Sequence, residues 1–99
     1  MRLVYTRPAL ERIAEIQTFW ADHTTEDKAE ELVTSLMEKT KQLLANPLRG
    51  FPEPKLARLG LGHRGLLLGR FKVIYYVSGE EVHITDFFDT KQHPSRMRG

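Results

Sequence analysis

Apolar residues recur at two different periods along this 99-residue chain, and the change of period divides it into a helical first half and an extended second half. Residues 2–6, Arg-Leu-Val-Tyr-Thr, alternate with Leu3 and Tyr5 on one side and predict a short N-terminal strand. Pro8 presets φ for a helix start, and Leu10, Ile13, Ile16, Phe19 and Trp20 follow at three- and four-residue spacing as far as His23. Thr24 or Thr25 offers a capping hydroxyl to a second helix, and Glu26 and Asp27 suit the positive end of its dipole. Its stripe runs through Ala29, Leu32, Val33, Leu36, Met37, Thr40, Leu43 and Leu44. Asn46-Pro47 stops it near residue 45, because the residue before proline is pushed out of the helical region. The short connection predicts an antiparallel helix hairpin with an apolar seam that needs a further surface to cover it.

That surface is supplied by residues 64–68, 70–78 and 81–88, rich in β-branched and aromatic side chains and separated by turns at Gly69 and at Ser78-Gly79-Glu80. They predict a three-strand antiparallel meander. In its middle strand Phe71, Val73, Tyr75 and Val77 face one way, toward the helices, and Lys72, Ile74, Tyr76 and Ser78 face the other. The expected fold is α+β, a single domain over residues 1–99 with two layers, and the Lys72/Tyr76 side is expected to be its open face. Trp20, Phe19 and Tyr75 read as core residues.

Charge is distributed unevenly. Residues 8–46 carry eight acids and four bases, a net of −4, whereas residues 49–72 carry six bases and one acid, a net of +5. Lys91, Arg96 and Arg98 extend the basic half, which suggests a polyanionic or acidic partner there. The chain has no cysteine, so disulfides and thiolate sites are excluded, and no apolar run approaches the ~18–20 residues of a membrane span. The N-terminus lacks a signal-peptide layout, and the expected location is the cytoplasm, with no membrane partner.

His23, His63, His83 and His93 show no zinc-ligand spacing, so no metal is expected, and neither a nucleophile elbow nor a phosphate-binding glycine loop is present. No cofactor is expected. Glu80 and Glu81 sit side by side at a turn and read as a solvated hairpin tip. The one constellation with chemical potential is Arg64, Arg70, Lys72, Tyr76, Lys91, His93 and Arg96, since cations stabilise a phosphate transition state and His moves protons near neutral pH. Two readings of it stay open: a basic rim that docks an acidic protein segment, or a nuclease site.

The order of these pieces resembles the RelE/ParE toxin superfamily of bacterial type II toxin–antitoxin systems, known also as plasmid stabilisation proteins. The resemblance is carried by Leu44-Ala45-Asn46-Pro47-Leu48-Arg49-Gly50, by the Arg70-to-Val77 strand with its paired tyrosines, and by the closing Phe88-to-Pro94 segment, and it covers almost the whole chain. It implies a two-layer fold, growth arrest, and a cognate antitoxin that wraps and neutralises the toxin and through which alone operator DNA is contacted. RelE-like members cut mRNA on the ribosome with strand cations and a C-terminal Arg with Tyr or His, whereas ParE-like members poison DNA gyrase. Lys72 matches a basic strand position of the nuclease branch, but Gln92 stands where its Arg is expected and no tyrosine follows residue 76. The long second helix and the Pro47-to-Gly50 exit are more similar to ParE. Gyrase is therefore the expected target, with antitoxin or target contacts at Arg64, Arg70, Lys72, Tyr76, Lys91, Gln92 and Arg96. The alternatives are an mRNA endonuclease using Lys72, His93, Arg64 and Arg70, and an inactive antitoxin-binding module.

Overall fold

In the computed structural model, which describes residues 1–99, the chain runs through a strand, a helix hairpin and a second set of strands that close one five-stranded sheet. Strand β1 (Arg2–Tyr5) leads into helix α1 (Arg7–His23), whose N-terminus is capped by the Thr6 hydroxyl accepting from the Ala9 amide at 3.3 Å. Helix α2 (Glu26–Lys41) is capped in the same way by Thr25, which accepts from the Lys28 amide at 3.1 Å. Thr24 instead finishes α1, its amide and hydroxyl both donating to the Trp20 carbonyl. A 3-10 turn over Gln42–Leu44 carries the chain to Pro47, so the second helical segment ends where Asn46-Pro47 predicts.

Strands β3 (Arg64–Leu68), β4 (Phe71–Ser78) and β5 (Glu81–Asp89) form the expected antiparallel meander. Its two hairpins place Gly69 and Gly79 at φ of 57° and 58°, a left-handed conformation that suits glycine in a two-residue turn. The sheet is wider than the sequence suggests. A two-residue strand, β2 (Phe51–Pro52), pairs with β3, and β1 pairs in parallel with β5, giving the order β1-β5-β4-β3-β2.

One sheet face meets the hairpin. Ile16, Leu36, Leu43, Val73, Tyr75, Val82, Ile84 and Phe87 are among the residues that fill this core, and Thr40 joins layer to sheet through a 2.7 Å hydrogen bond with the Tyr5 hydroxyl. A bulge between Ile74/Tyr75 and the facing Ile84–Asp86 segment inserts one extra residue in β5, so that Ile84 and Phe87 both point at the helices although three positions apart.

The other face corrects an expectation. It is not open: a 3-10 helix over Pro54–Leu59 and the C-terminal residues 94–99 lie across it and bury Leu56, Ile74, Phe88 and Met97 in a second, smaller core. Phe19 is a second correction, since it is 49% exposed at the end of α1, stacked on His23, while Trp20 does pack against the main core.

Candidate functional site

The basic constellation divides between the two faces of the sheet. Arg64 shares the pleat of Leu66 on the helix side, where its guanidinium donates to the Gly50 carbonyl at 2.8 Å. This interaction belongs to a knot in the Pro47–Gly50 exit: the Gly50 amide donates to the buried Tyr75 hydroxyl at 2.8 Å. A Cβ on Gly50 would lie 2.8 Å from the Gly65 carbonyl oxygen and 2.9 Å from the Tyr75 ring, so the segment needs glycine for close approach. Burial raises the Tyr75 phenol pKa, against the opposing effects of the Gly50 amide and the Arg64 charge.

Arg70 also turns to the helix side. It pairs with Asp89, Nε to Oδ1 at 3.0 Å with a second hydrogen bond from its terminal nitrogen, and lies 5.1 Å over the Trp20 ring. Burial alone would raise the Asp89 pKa, but the hydrogen bond from Arg70 and the Lys91 amide together hold it below the ordinary value. Arg70 lines a groove of about 200 Å³ with Phe19, Trp20, Gln92 and Arg96.

Lys72 and Tyr76 occupy the second face. The Lys72 stem crosses Gly65, where a Cβ would come within 2.6 Å of it, and its ammonium meets the buried Glu53 carboxylate at 2.8 Å. Burial opposes ionisation of Glu53, yet the Lys72 hydrogen bond, the Lys55 amide and both lysine charges lower its pKa overall. Tyr76 is stacked on His83 at 4.8 Å and meets the edge of His63 at 5.1 Å. Lys72 lines a groove of about 430 Å³ whose apolar wall includes Phe51, 80% exposed, and Leu67, 57% exposed. Lys91, Gln92, His93 and Arg96 come together on the closing turn, with Gln92 lining the grooves on both of its sides. Arg64 and Arg70 are thus parted from Lys72 and Tyr76 by the sheet itself.

Sequence reasoning missed Glu53, the partner that fixes Lys72, and Asp86, fully buried on the β5 bulge. Asp86 accepts from Arg12 Nε at 2.9 Å and from the Arg98 amide at 2.9 Å, joining α1 to the C-terminal strap. The only signal for the first was an acid in an otherwise basic segment, and for the second an acid in an apolar strand.

The model of the ParE toxin of the type II toxin–antitoxin system parDE matches residues 3–94. The chain belongs to the ParE toxin family. Among solved structures, a chain described as the chromosomal ParDE toxin–antitoxin system from P. aeruginosa is similar to it, with 25% identity and a TM-score of 0.77 over 90% of this chain and 95% of that one. No curated protein matches. Membership of this family makes the chain a type II toxin with a cognate antitoxin partner, on the two-layer fold described above. No helix of this ParE-family chain is long and apolar enough to cross a membrane.

Proposed function

We propose that this ParE-family toxin arrests growth by acting on DNA gyrase, and that its antitoxin neutralises it by covering the second sheet face around Lys72. The observation that carries the reading is the ion pairing of Arg70 and Lys72. Lys72 is held by Glu53 and Arg70 by Asp89, on opposite faces, so their charges support the fold instead of converging on one phosphate. A side chain with a structural partner at ion-pair distance would have to break that pair before it could stabilise a scissile phosphate. The same face supports the antitoxin assignment: Phe51 and Leu67 offer apolar anchors, and Lys55 and Lys72 line the same groove with basic side chains. An acidic, amphipathic antitoxin segment matches both features.

The test is a supercoiling and cleavage-complex assay with purified gyrase and toxin, with and without antitoxin. The reading requires inhibited supercoiling or trapped cleaved DNA, reversed by antitoxin. Phe51→Asp with Leu67→Asp should weaken reversal roughly tenfold or more while leaving gyrase inhibition intact. Unaffected gyrase beside cleavage of mRNA on ribosomes would replace this reading with the nuclease one.

A further inference from the structure

A different groove, of about 370 Å³, lies between the Pro54–Leu59 helix and the Pro94–Arg96 turn, with Lys55 and Arg58 on one wall and His93 and Ser95 on the other. No acid lines it. Unlike Arg70 and Lys72, neither Lys55 nor Arg58 has a carboxylate within ion-pair distance, and both line this one groove. The Lys55 charge also acts on Glu53 nearby, but no carboxylate contacts either head group, and both can take a ligand. Arg58 is also aimed, because one guanidinium nitrogen donates to the Lys55 carbonyl at 2.7 Å and leaves the remaining donors free.

The opposite wall adds a neutral donor. The Ser95 amide donates to His93 Nδ1 at 3.1 Å, which makes that nitrogen an acceptor and puts the proton of the neutral ring on Nε2. The floor of the groove is Leu56 and Met97, both members of the small second core, which joins the two walls. An ammonium, a guanidinium fork and an imidazole N–H line one space from two sides, a donor set that suits an oxyanion such as a phosphate.

We propose that this groove binds the backbone phosphates of a nucleic acid directly, an interaction that departs from the expectation that DNA is reached only through the antitoxin. The groove adjoins the one lined by Lys72, with which it shares Lys55, Pro94 and Met97, so a chain leaving it enters a second groove that also carries cations. The groove takes phosphate alone and is indifferent to sequence.

The test is fluorescence anisotropy of the full chain with a labelled duplex DNA of about 20 base pairs and a single-stranded RNA of about 20 nucleotides over a salt series. Lys55→Glu with Arg58→Glu should lower affinity roughly tenfold or more and flatten the slope of log affinity against log salt by about 2, one unit for each phosphate that is no longer neutralised. His93→Ala should lower it roughly two- to fivefold. A charge-matched control on α2, Lys28→Glu with Lys39→Glu, should stay within about twofold of the wild type. Binding of either probe, or both, with this residue dependence supports the groove and says which nucleic acid it takes. Equal reductions in the control and groove variants would reduce the effect to overall charge and overturn the proposal. So would no binding at low salt, or displacement of the probe by polyglutamate as effective, at equal charge, as displacement by unlabelled oligonucleotide. Circular dichroism on each variant keeps a folding defect distinguishable, and a misfolded pair is replaced by Lys55→Gln with Arg58→Gln.

Discussion

The two faces of the sheet are built by opposite means. The helix face is covered by two long amphipathic helices whose stripes meet alternating strand residues, and Leu36, Leu43, Val73, Tyr75, Ile84 and Phe87 lose all solvent exposure there. The second face is covered by a 3-10 helix and a six-residue strap, with a core of only four residues. The strap is held by polar interactions instead: the Arg98 amide on Asp86, the Thr85 hydroxyl on the Arg98 carbonyl, and the Arg12 guanidinium on the Arg96 carbonyl. Stability therefore resides in the first face, whereas Lys55, Arg58, Phe51 and Leu67 line grooves around the second. A lightly fastened cover leaves grooves at its edges, where partners can bind without disturbing the main core.

Deleting a side chain from each face gives the largest separation. Phe87→Ala, in the helix-side core, should cost about 4 kcal/mol, and Met97→Ala, in the small core, about 2 kcal/mol, near the low end of its class. Urea unfolding of both variants checks the order, and equal destabilisation would mean that the two faces are equally structural. Asp86 sharpens the comparison because it ties α1 to the strap. Asp86→Ala leaves the mostly buried Arg12 and the Arg98 amide without their acceptor and should cost about 3 kcal/mol, with hydrogen exchange of residues 96–98 accelerating more than that of β4.

The smallest effect depends on pH. His63 is 3% exposed, its Nε2 lies 3.2 Å from the Gly99 carbonyl, and its Nδ1 has no partner. Burial lowers its pKa below the ordinary 6.5, against a smaller opposing effect of the Gly99 carbonyl. The unfolded chain therefore takes up this proton first, so the stability that His63 supports is complete above about pH 6.5 and declines as pH falls toward the folded value. His63→Gln should flatten urea midpoints across that range. Glu53 and Asp89, both lowered in the folded state, support stability above the ordinary carboxylate range and lose it in stronger acid, which separates the two transitions.

How much of this was legible in the sequence follows the same division. The α2 stripe repeats over several turns, and the β4 alternation is unbroken from Phe71 to Val77, so much of the helix-side core was legible, although Leu10, Phe19 and Leu44, placed with it by spacing, are 50%, 49% and 40% exposed. Phe51-Pro52 lies in a run of prolines that reads as loop, and its strand exists only because β3 offers an edge. The strap carries a single apolar anchor, Met97, which shows no period. The Thr85 bulge is invisible because alternation resumes one residue out of phase. At the candidate site, the cations themselves were legible, but their partners were not. Glu53 meets Lys72 across 19 positions and Asp89 meets Arg70 across the same interval, and only the tertiary fold brings each pair together.

The most direct test of the growth-arrest reading is pulse-label incorporation into DNA and into protein over the first minutes after the toxin is induced in bacteria without antitoxin. The comparison should include the Lys72→Met, Glu53→Leu double variant, which removes the ion pair as a unit. The account predicts that DNA synthesis falls before protein synthesis, and that the double variant remains toxic while folded. An earlier fall in protein synthesis, abolished in the double variant, would contradict it and make Lys72 a group that acts on RNA.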